Sequence, residues 1–188
     1  AEAGHFRHDL LPPGTQPELA VTRHYAPTAP FCIANGIQGA LVEVDKETGI
    51  VRPLHHWVVE DCGRMINPLL VDEQIRGGVV QGIGGALFEH CIYDDNANLL
   101  NGTLAAYLVP MAAEMPDIQV GHVETPNEET ALGTKGAGEA GTVGAPAAIL
   151  CAVNDAIRPM GATVTEMPIT PEVVLAALNV AGSHSLNR

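Results

Sequence analysis

The sequence lacks the residue spacings from which a single chain builds a metal site. Its four cysteines lie far apart and form no C-x-x-C pair, which argues against zinc and iron–sulfur clusters. Its eight histidines include no H-x-x-x-H pair, the spacing that places two rings on one face of a helix. We therefore expect no metal to be bound by side chains of this chain alone. We also expect the cysteines to be reduced thiols in a cytoplasmic protein.

Positive charge and long apolar runs are scarce as well. Nine Lys and Arg stand against 22 Asp and Glu, and the formal net charge of −13 argues against a nucleic acid partner. With no run of about 18 apolar residues, we expect no segment that spans a membrane. Charged residues make up only 16% of the chain, which suggests that another chain covers part of its surface.

The order of the remaining patterns predicts an α+β fold with two or three packed helices. Residues 1–18 are polar and read as an extended arm or linker, and residues 19–188 form the folded part. The region 19–60 reads as strands, with a hairpin turn from Asp45 to Gly49. Apolar residues that recur every four positions predict a helix over 68–90, with its start at Asn67-Pro68.

The second half of the chain alternates between short strands and helices. After a turn we expect a strand that ends near Pro110, another strand over 117–125, and a loop over 126–141. A helix follows over 142–157, then a strand over 162–168. A last helix begins at Thr170-Pro171, where Thr170 is the N-cap.

The first helix contains a run that should weaken it. In "GGVVQGIGG", residues 77–85, five of nine residues are glycine, and each costs a helix interior roughly 1 kcal/mol relative to alanine. Four of the glycines lie three or four positions from Gln81 and so surround it on the helix surface. Two explanations remain open. Another element packs closely while Gln81 binds a backbone group, or a flat polar ligand lies on the bare strip and is hydrogen-bonded by Gln81.

A second glycine-rich segment, "GTKGAGEAGTVGAP" at residues 133–146, carries only two charged side chains, Lys135 and Glu139. Its "GAGEAG" matches G-x-G-x-x-G, but no buried strand precedes it, and Glu139 would repel a pyrophosphate at the helix start. A carboxylate held in such a loop can act as a general base. Alternatively, Glu139 only offsets the helix dipole and Lys135 is a solvated loop residue.

The two glycine-rich segments together resemble one family. "DCGRMINP", "QIRGGVVQGIGGALFEH", "YDDNANLLNGTLAAYLVP" and "ETPNEETALGTKGAGEAGTVGAPAAILCAVNDAI" resemble, in this order, the C-terminal part of the large, molybdopterin-binding subunit of molybdenum hydroxylases. That family includes xanthine oxidase, aldehyde oxidoreductase and carbon monoxide dehydrogenase. The resemblance covers roughly residues 18–175, and "KGxGEAG" and "QGIG" are its most specific features. It implies that residues 19–188 are the C-terminal portion of the cofactor-binding domain.

The resemblance also implies roles for individual residues. Glu139 would be the general base at molybdenum in the oxidation of an aldehyde or N-heteroaromatic substrate with water-derived oxygen. Gln81, with Gly82, would contact molybdopterin from the glycine-rich helix. The loop that wraps the nucleotide or phosphate end of the cofactor, in its dinucleotide form, would be formed by Lys135, Gly136, Ala137 and Gly138.

Other parts of such an enzyme have no counterpart in this sequence. The resemblance implies a [2Fe-2S] subunit or domain, a flavin (FAD) subunit, and the remainder of the large subunit as partners. The chain would therefore be inactive without partner chains. Two further readings stay open: a non-catalytic assembly or scaffold module of the same fold, and an unrelated nucleotide-binding α/β protein, which the missing strand before the glycines disfavours.

Overall fold

The computed structural model describes residues 7–16, 21–26 and 32–185. The chain divides into two units, residues 1–30 and 31–188. The described part of the first unit contains a short 3-10 helix, His8–Leu10, beside an exposed ion pair between Arg7 and Asp9. The arm expected over residues 1–18 lies partly outside the described residues.

The second unit contains a three-stranded sheet in the order β1–β2–β3. Strands β1 (Asn35–Val44) and β2 (Val51–Asp61) are antiparallel, and β3 (Asp117–His122) runs parallel to β2. The predicted hairpin turn is confirmed, because the Gly49 N–H donates to the Asp45 carbonyl at 2.7 Å and Gly49 has φ of 76°. The strands expected between residues 19 and 34 are absent from the described residues 21–26 and 32–34.

Three helices accompany the sheet: α1 (Pro68–Leu87), α2 (Ala140–Ile157) and α3 (Pro171–Ser185). The α+β prediction is confirmed, and so is the start of α1. Asn67 caps that helix by accepting a hydrogen bond from the Leu70 N–H at 3.4 Å. Helix α1 ends at Leu87, three residues before the predicted end, and α2 begins two residues earlier than predicted.

Two predicted strands are wrong. The segment before Pro110 forms turns, in which the N–H groups of Ala106 and Tyr107 both donate to the Thr103 carbonyl. Within the part of the chain that the structure describes, the segment 162–168 pairs with no strand, and the Asn154 side chain bonds both backbone groups of Val164, at 2.8 and 2.9 Å. In both segments, turn or side-chain hydrogen bonds take the place of the strand-to-strand backbone hydrogen bonds that the β-prone residues predict.

The core lies between the sheet and helices α1 and α2. The four-residue repeat of α1 faces inward, and Ile75, Val79 and Ile83 are fully buried. Helix α2 contributes five buried residues to the same core: Gly141, Ala145, Ile149, Val153 and Ile157.

One segment is more apolar than the sequence analysis led us to expect. Within Ala140–Met160 an 18-residue window has a mean hydropathy of 1.4, so this segment is long and apolar enough to cross a membrane by length and composition alone. Because a core helix passes the same test and α2 packs against the sheet and α1, this single segment is weak evidence for a membrane span.

Candidate functional site

The glycines of α1 lie on two different faces of the helix. A Cβ atom on Gly82 would lie 2.6 Å from the Ala145 Cβ, and one on Gly78 would lie 3.0 Å from the Thr142 nitrogen. These two glycines are buried and let α1 and α2 approach closely, a contact that also includes a hydrogen bond from the Thr142 hydroxyl to the Gly78 carbonyl. Close helix packing therefore accounts for this part of the glycine run.

The other face of α1 is open. Gly77 and Gly85 are exposed, and a Cβ atom on either would meet nothing within 4 Å. Gln81 lies between them on the same face and is exposed, and its side chain makes no hydrogen bond to any residue that the structure describes. Packing inside this chain does not explain these two glycines. Gly82, which was expected to bind cofactor with Gln81, lies instead on the buried face toward α2.

Gln74 connects this open face to the second glycine-rich segment. It lies seven residues before Gln81 and therefore on the same side of α1. Its side-chain amide donates to the Gly138 carbonyl at 2.9 Å. The hydrogen bond brings the loop 136–139 beside the exposed strip of α1. Sequence reasoning missed Gln74, although its seven-residue spacing from Gln81 is a usable signal.

The loop that precedes α2 is fixed at its beginning. Its backbone pairs with the segment after β2: the Arg64 N–H donates to the Gly133 carbonyl at 2.9 Å, and the Lys135 N–H donates to the Cys62 carbonyl at 2.8 Å. Gly63 and Gly133 have φ of 66° and 72°, left-handed values that favour glycine. The loop therefore leaves the end of β2 in a defined direction.

An ion pair beneath the loop involves Asp61, a residue that sequence reasoning missed. The Lys135 Nζ lies 3.0 Å from the Asp61 Oδ2, and the two side chains are only 10% and 12% exposed. The other Asp61 oxygen accepts the N–H groups of Gly63 and Thr125. A hydrogen bond from the Thr125 side chain, then these N–H groups and Lys135, hold the pKa of Asp61 well below its usual range.

This pairing changes what Lys135 can do. Its ammonium is matched by a carboxylate and its backbone N–H is bonded to Cys62, so both polar groups are already used within the chain. The positive charge available to an external anion at this point is correspondingly small. Lys135 therefore anchors the loop to the end of β2.

The remainder of the loop presents unpaired backbone donors. Within the part of the chain that the structure describes, the N–H groups of Gly136, Ala137, Gly138 and Glu139 have no hydrogen-bond partner. Gly136 and Gly138 are exposed, and nothing lies within 4 Å of a Cβ atom built on either. Four consecutive free N–H groups directly before a helix form a region that favours negative charge.

Glu139 occupies the position just before α2, with φ of −110° and ψ of 2°. Its side chain is exposed and accepts no capping hydrogen bond from the helix. The carboxylate therefore does not act as an N-cap, and the helix dipole is the structural explanation that remains for it. It remains free to contact a molecule placed against the loop.

A groove of about 1010 Å³ extends from Glu139 along α2 toward Asp155. Strand β1 forms its other wall, and small residues line much of both walls. Its polar lining includes Gln38, Glu60 and Glu139. Among the described residues, no group of three or more His, Cys, Asp and Glu side chains is arranged to hold a metal ion.

Comparison with known proteins assigns the chain to a family. Residues 2–116 match the model of the molybdopterin cofactor-binding domain. The chain belongs to this family. The resemblance to large subunits of molybdenum hydroxylases, and the expected fold of their cofactor-binding domain, are thereby confirmed.

Individual relatives agree with the family assignment. The chain is 45% identical to the nicotine 6-hydroxylase large subunit of Paenarthrobacter nicotinovorans, over 94% of this chain and 22% of that protein. It is 35% identical to the carbon monoxide dehydrogenase large chain of Hydrogenophaga pseudoflava, over 85% of this chain and 20% of that one. The chain thus spans about a fifth of the length of these relatives.

Solved structures give the same result. The quinoline 2-oxidoreductase of Pseudomonas putida 86 matches with a TM-score of 0.81 and 42% identity, over 94% of this chain and 22% of that one. The aldehyde oxidoreductase of Desulfovibrio gigas matches with a TM-score of 0.69 and 32% identity, over 78% of this chain and 15% of that one. These relatives are named as oxidoreductases.

The residues present fit a molybdopterin cofactor. An anionic group suits the four free N–H groups of residues 136–139, and a flat polar ring suits the open face of α1 with the unpaired Gln81 amide. Gln74 ties these two surfaces together through the Gly138 carbonyl. Of the two glycine explanations that the sequence left open, close packing accounts for the buried face of α1, and the open face has the room and the side-chain amide that the ligand explanation requires.

Proposed function

We propose that this chain is the part of a molybdenum hydroxylase that binds molybdopterin and supplies Glu139 as the general base. The observation that carries the proposal is the arrangement around Glu139: an exposed carboxylate with no capping bond and no partner among the described residues, directly after free backbone donors and directly before a helix. Glu139 makes no capping hydrogen bond, so its carboxylate is available to a bound molecule, and the competing explanation is that it only offsets the helix dipole.

In this proposal each surface of the site has a separate task. The N–H groups of Gly136, Ala137 and Gly138 bind the anionic end of the cofactor, in its dinucleotide form, while Gln81 donates to and accepts from the pterin across the open face of α1. Lys135 holds the loop through Asp61. When bound, the molybdenum cofactor supplies the two-electron redox chemistry by which water-derived oxygen is added to a substrate carbon.

Glu139 contributes the proton chemistry. A general base must lie within hydrogen-bond reach of the proton that it removes and must be deprotonated at the working pH. An exposed carboxylate next to open space meets the first condition for any molecule that rests against the loop. Other parts of the large subunit would enclose Glu139, since this chain spans only about a fifth of its relatives.

The substrate that we propose is an N-heteroaromatic compound, with an aldehyde as the second choice. The relatives named for nicotine 6-hydroxylation and quinoline 2-oxidation are 45% and 42% identical to this chain, against 32% for the aldehyde oxidoreductase. The proposed partners are the remainder of the large subunit, a [2Fe-2S] subunit and a FAD subunit. Many large apolar side chains of this chain are exposed, such as Ile37 at 73% and Val143 at 76%, and these partners would cover them.

The test is Glu139→Gln in the assembled enzyme. Nicotine, quinoline and benzaldehyde serve as probe substrates, with an artificial electron acceptor, and molybdenum is measured in the same preparation. We expect turnover to fall by at least a hundredfold, in line with loss of a general base, while the molybdenum content stays at the wild-type level. Glu128→Gln, an exposed carboxylate in the same loop, is the matched control and should keep full activity. Normal turnover by Glu139→Gln would contradict the assignment.

A further inference from the structure

A buried polar cluster lies directly beneath the first turn of α2. It consists of Gln38 on β1 together with His56 and Glu60 on β2, and we call it the Gln38 cluster. His56 is fully buried and Glu60 is 3% exposed. Buried polar side chains at this depth are stable only when they are hydrogen-bonded, so their partners define what the cluster does.

The hydrogen bonds of Gln38 converge on the residues that follow Glu139. Its Nε2 donates to the Gly141 carbonyl at 3.0 Å and lies 3.3 Å from the Ala140 carbonyl. The same nitrogen lies 3.4 Å from the Glu60 Oε1, while the Gln38 Oε1 faces the His56 Nε2 at 2.9 Å. Because carbonyl and carboxylate oxygens surround Nε2, the amide has one consistent orientation, in which His56 donates from Nε2 to Oε1.

The Gln38 side chain has little freedom to leave this position. A Cβ atom on Gly144 would lie 2.9 Å from the Gln38 Cδ, and one on Gly36 would overlap the Glu60 carboxylate. Glycine at both positions lets strand β1 and helix α2 close on the cluster. The amide is thus fixed between the sheet and the helix start.

Hydrogen bonds hold the cluster together. Burial raises the pKa of Glu60 and lowers the pKa of His56, so the surroundings disfavour the charged form of both side chains. An amide that donates on one side and accepts on the other suits such a site. Gln38 is the member that joins the two strand residues to α2.

We propose that Gln38 is a positioning residue that sets the direction of Glu139 by fixing the first turn of α2. The inference rests on the proposed function, because its catalytic consequence requires Glu139 to be the base. Gln38 binds carbonyls one and two residues after Glu139, so any rotation of that turn would swing the carboxylate away from its target. His56 and Glu60 keep the Gln38 amide in the orientation that this requires.

The test uses Gln38→Met in the assembled enzyme, which keeps the approximate volume of the side chain and removes both polar atoms. Gln119→Met is the matched control, because Gln119 on β3 bonds Trp57 and makes no hydrogen bond to α2. Two quantities are measured: hydrogen exchange at the amides of residues 142–145, and kcat and KM with the probe substrates. Molybdenum content is recorded for each preparation.

We expect Gln38→Met to raise amide exchange at residues 142–145 at least tenfold and to lower kcat at least tenfold. KM and molybdenum content should stay within twofold of wild type, and the control should match wild type throughout. If Gln38→Met does not assemble, Gln38→Ala replaces it, because it also removes the donor to α2 and is small enough for the space between Gly36 and Gly144. Unchanged exchange would overturn the inference, and so would loss of molybdenum.

Glu139→Gln, measured in parallel, separates the two ideas. If that variant is inactive while Gln38→Met keeps full kcat, the positioning role is wrong and the proposed function stands. If Glu139→Gln keeps its turnover, the proposed function fails, and the exchange measurement alone decides whether Gln38 fixes the helix start.

Discussion

Replacing single glycines on the two faces of α1 should have opposite effects on stability. At Gly82 a methyl group would lie 2.6 Å from the Ala145 Cβ and 3.0 Å from both the Pro146 Cδ and the Thr142 carbonyl oxygen. Favourable carbon contacts begin at about 3.5 Å, so Gly82→Ala must push the two helices apart. Overpacking of this kind lowers the free energy of unfolding by up to about 3 kcal/mol. The better helix propensity of alanine raises it by about 1 kcal/mol.

At Gly77 the same change meets open space. Only the helix preference remains, so Gly77→Ala should stabilise α1 by about 1 kcal/mol. The net values, a loss of about 2 kcal/mol at Gly82 and a gain of about 1 kcal/mol at Gly77, differ by about 3 kcal/mol. That difference corresponds to a change of more than a hundredfold in the equilibrium constant for local opening of α1.

Native-state amide exchange in α1 of the assembled, cofactor-free protein, in which the strip at Gly77 is open, measures this difference without requiring two-state unfolding. We expect exchange to be more than a hundredfold faster in Gly82→Ala than in Gly77→Ala, with wild type between them. Gly77→Leu extends the comparison to the cofactor: it should leave α1 folded but abolish molybdenum loading, because the side chain would occupy the open strip beside Gln81. Equal exchange in the two alanine variants, or full loading of Gly77→Leu, would refute the division of the glycines into two faces.

Two further predictions concern the loop before α2. Asp61→Asn should reduce thermal stability at pH 7. Since the pKa of Asp61 is lowered in the folded state, the folded protein binds fewer protons than the unfolded chain, so the stabilisation is fully present above about pH 4 and is lost progressively as the pH falls from there toward the lowered pKa; a difference between wild type and variant that does not shrink between about pH 5 and pH 2 would contradict this. Gln74→Leu should expose the loop 136–139 to proteolysis several times faster than wild type while α1 stays intact, because it removes the bond to the Gly138 carbonyl; an unchanged cleavage rate would show that Lys135 alone fixes the loop.

The elements that the sequence predicts well are those whose pattern is local. The four-residue repeat of α1, its Asn67-Pro68 start and the Asp45–Gly49 turn each depend on residues close together in the chain, and the structure contains all three. The two wrong strands were also judged from local preference. Asn154 and Thr103 supply hydrogen bonds that β propensity does not take into account.

The same limit applies to the candidate site: features within one segment can be predicted from the sequence, and contacts between distant segments cannot. Glycine spacing places Gln81 on a bare strip, but only the position of α2 shows that Gly78 and Gly82 are covered while Gly77 and Gly85 are open. Asp61 and Gln38 reach the loop from distant strands, across separations of 74 and 103 residues. No pattern within one segment could have paired Lys135 with Asp61 or Gln38 with the start of α2.

The molybdenum content of the natively purified protein tests the central claim most directly. Elemental analysis of the complex that contains this chain should give close to one molybdenum per chain if the open face of α1 and the free N–H groups of residues 136–139 bind molybdopterin. A purified complex without molybdenum would contradict the account, because the exposed glycines, Gln81 and the unpaired loop donors would then have no ligand to explain them.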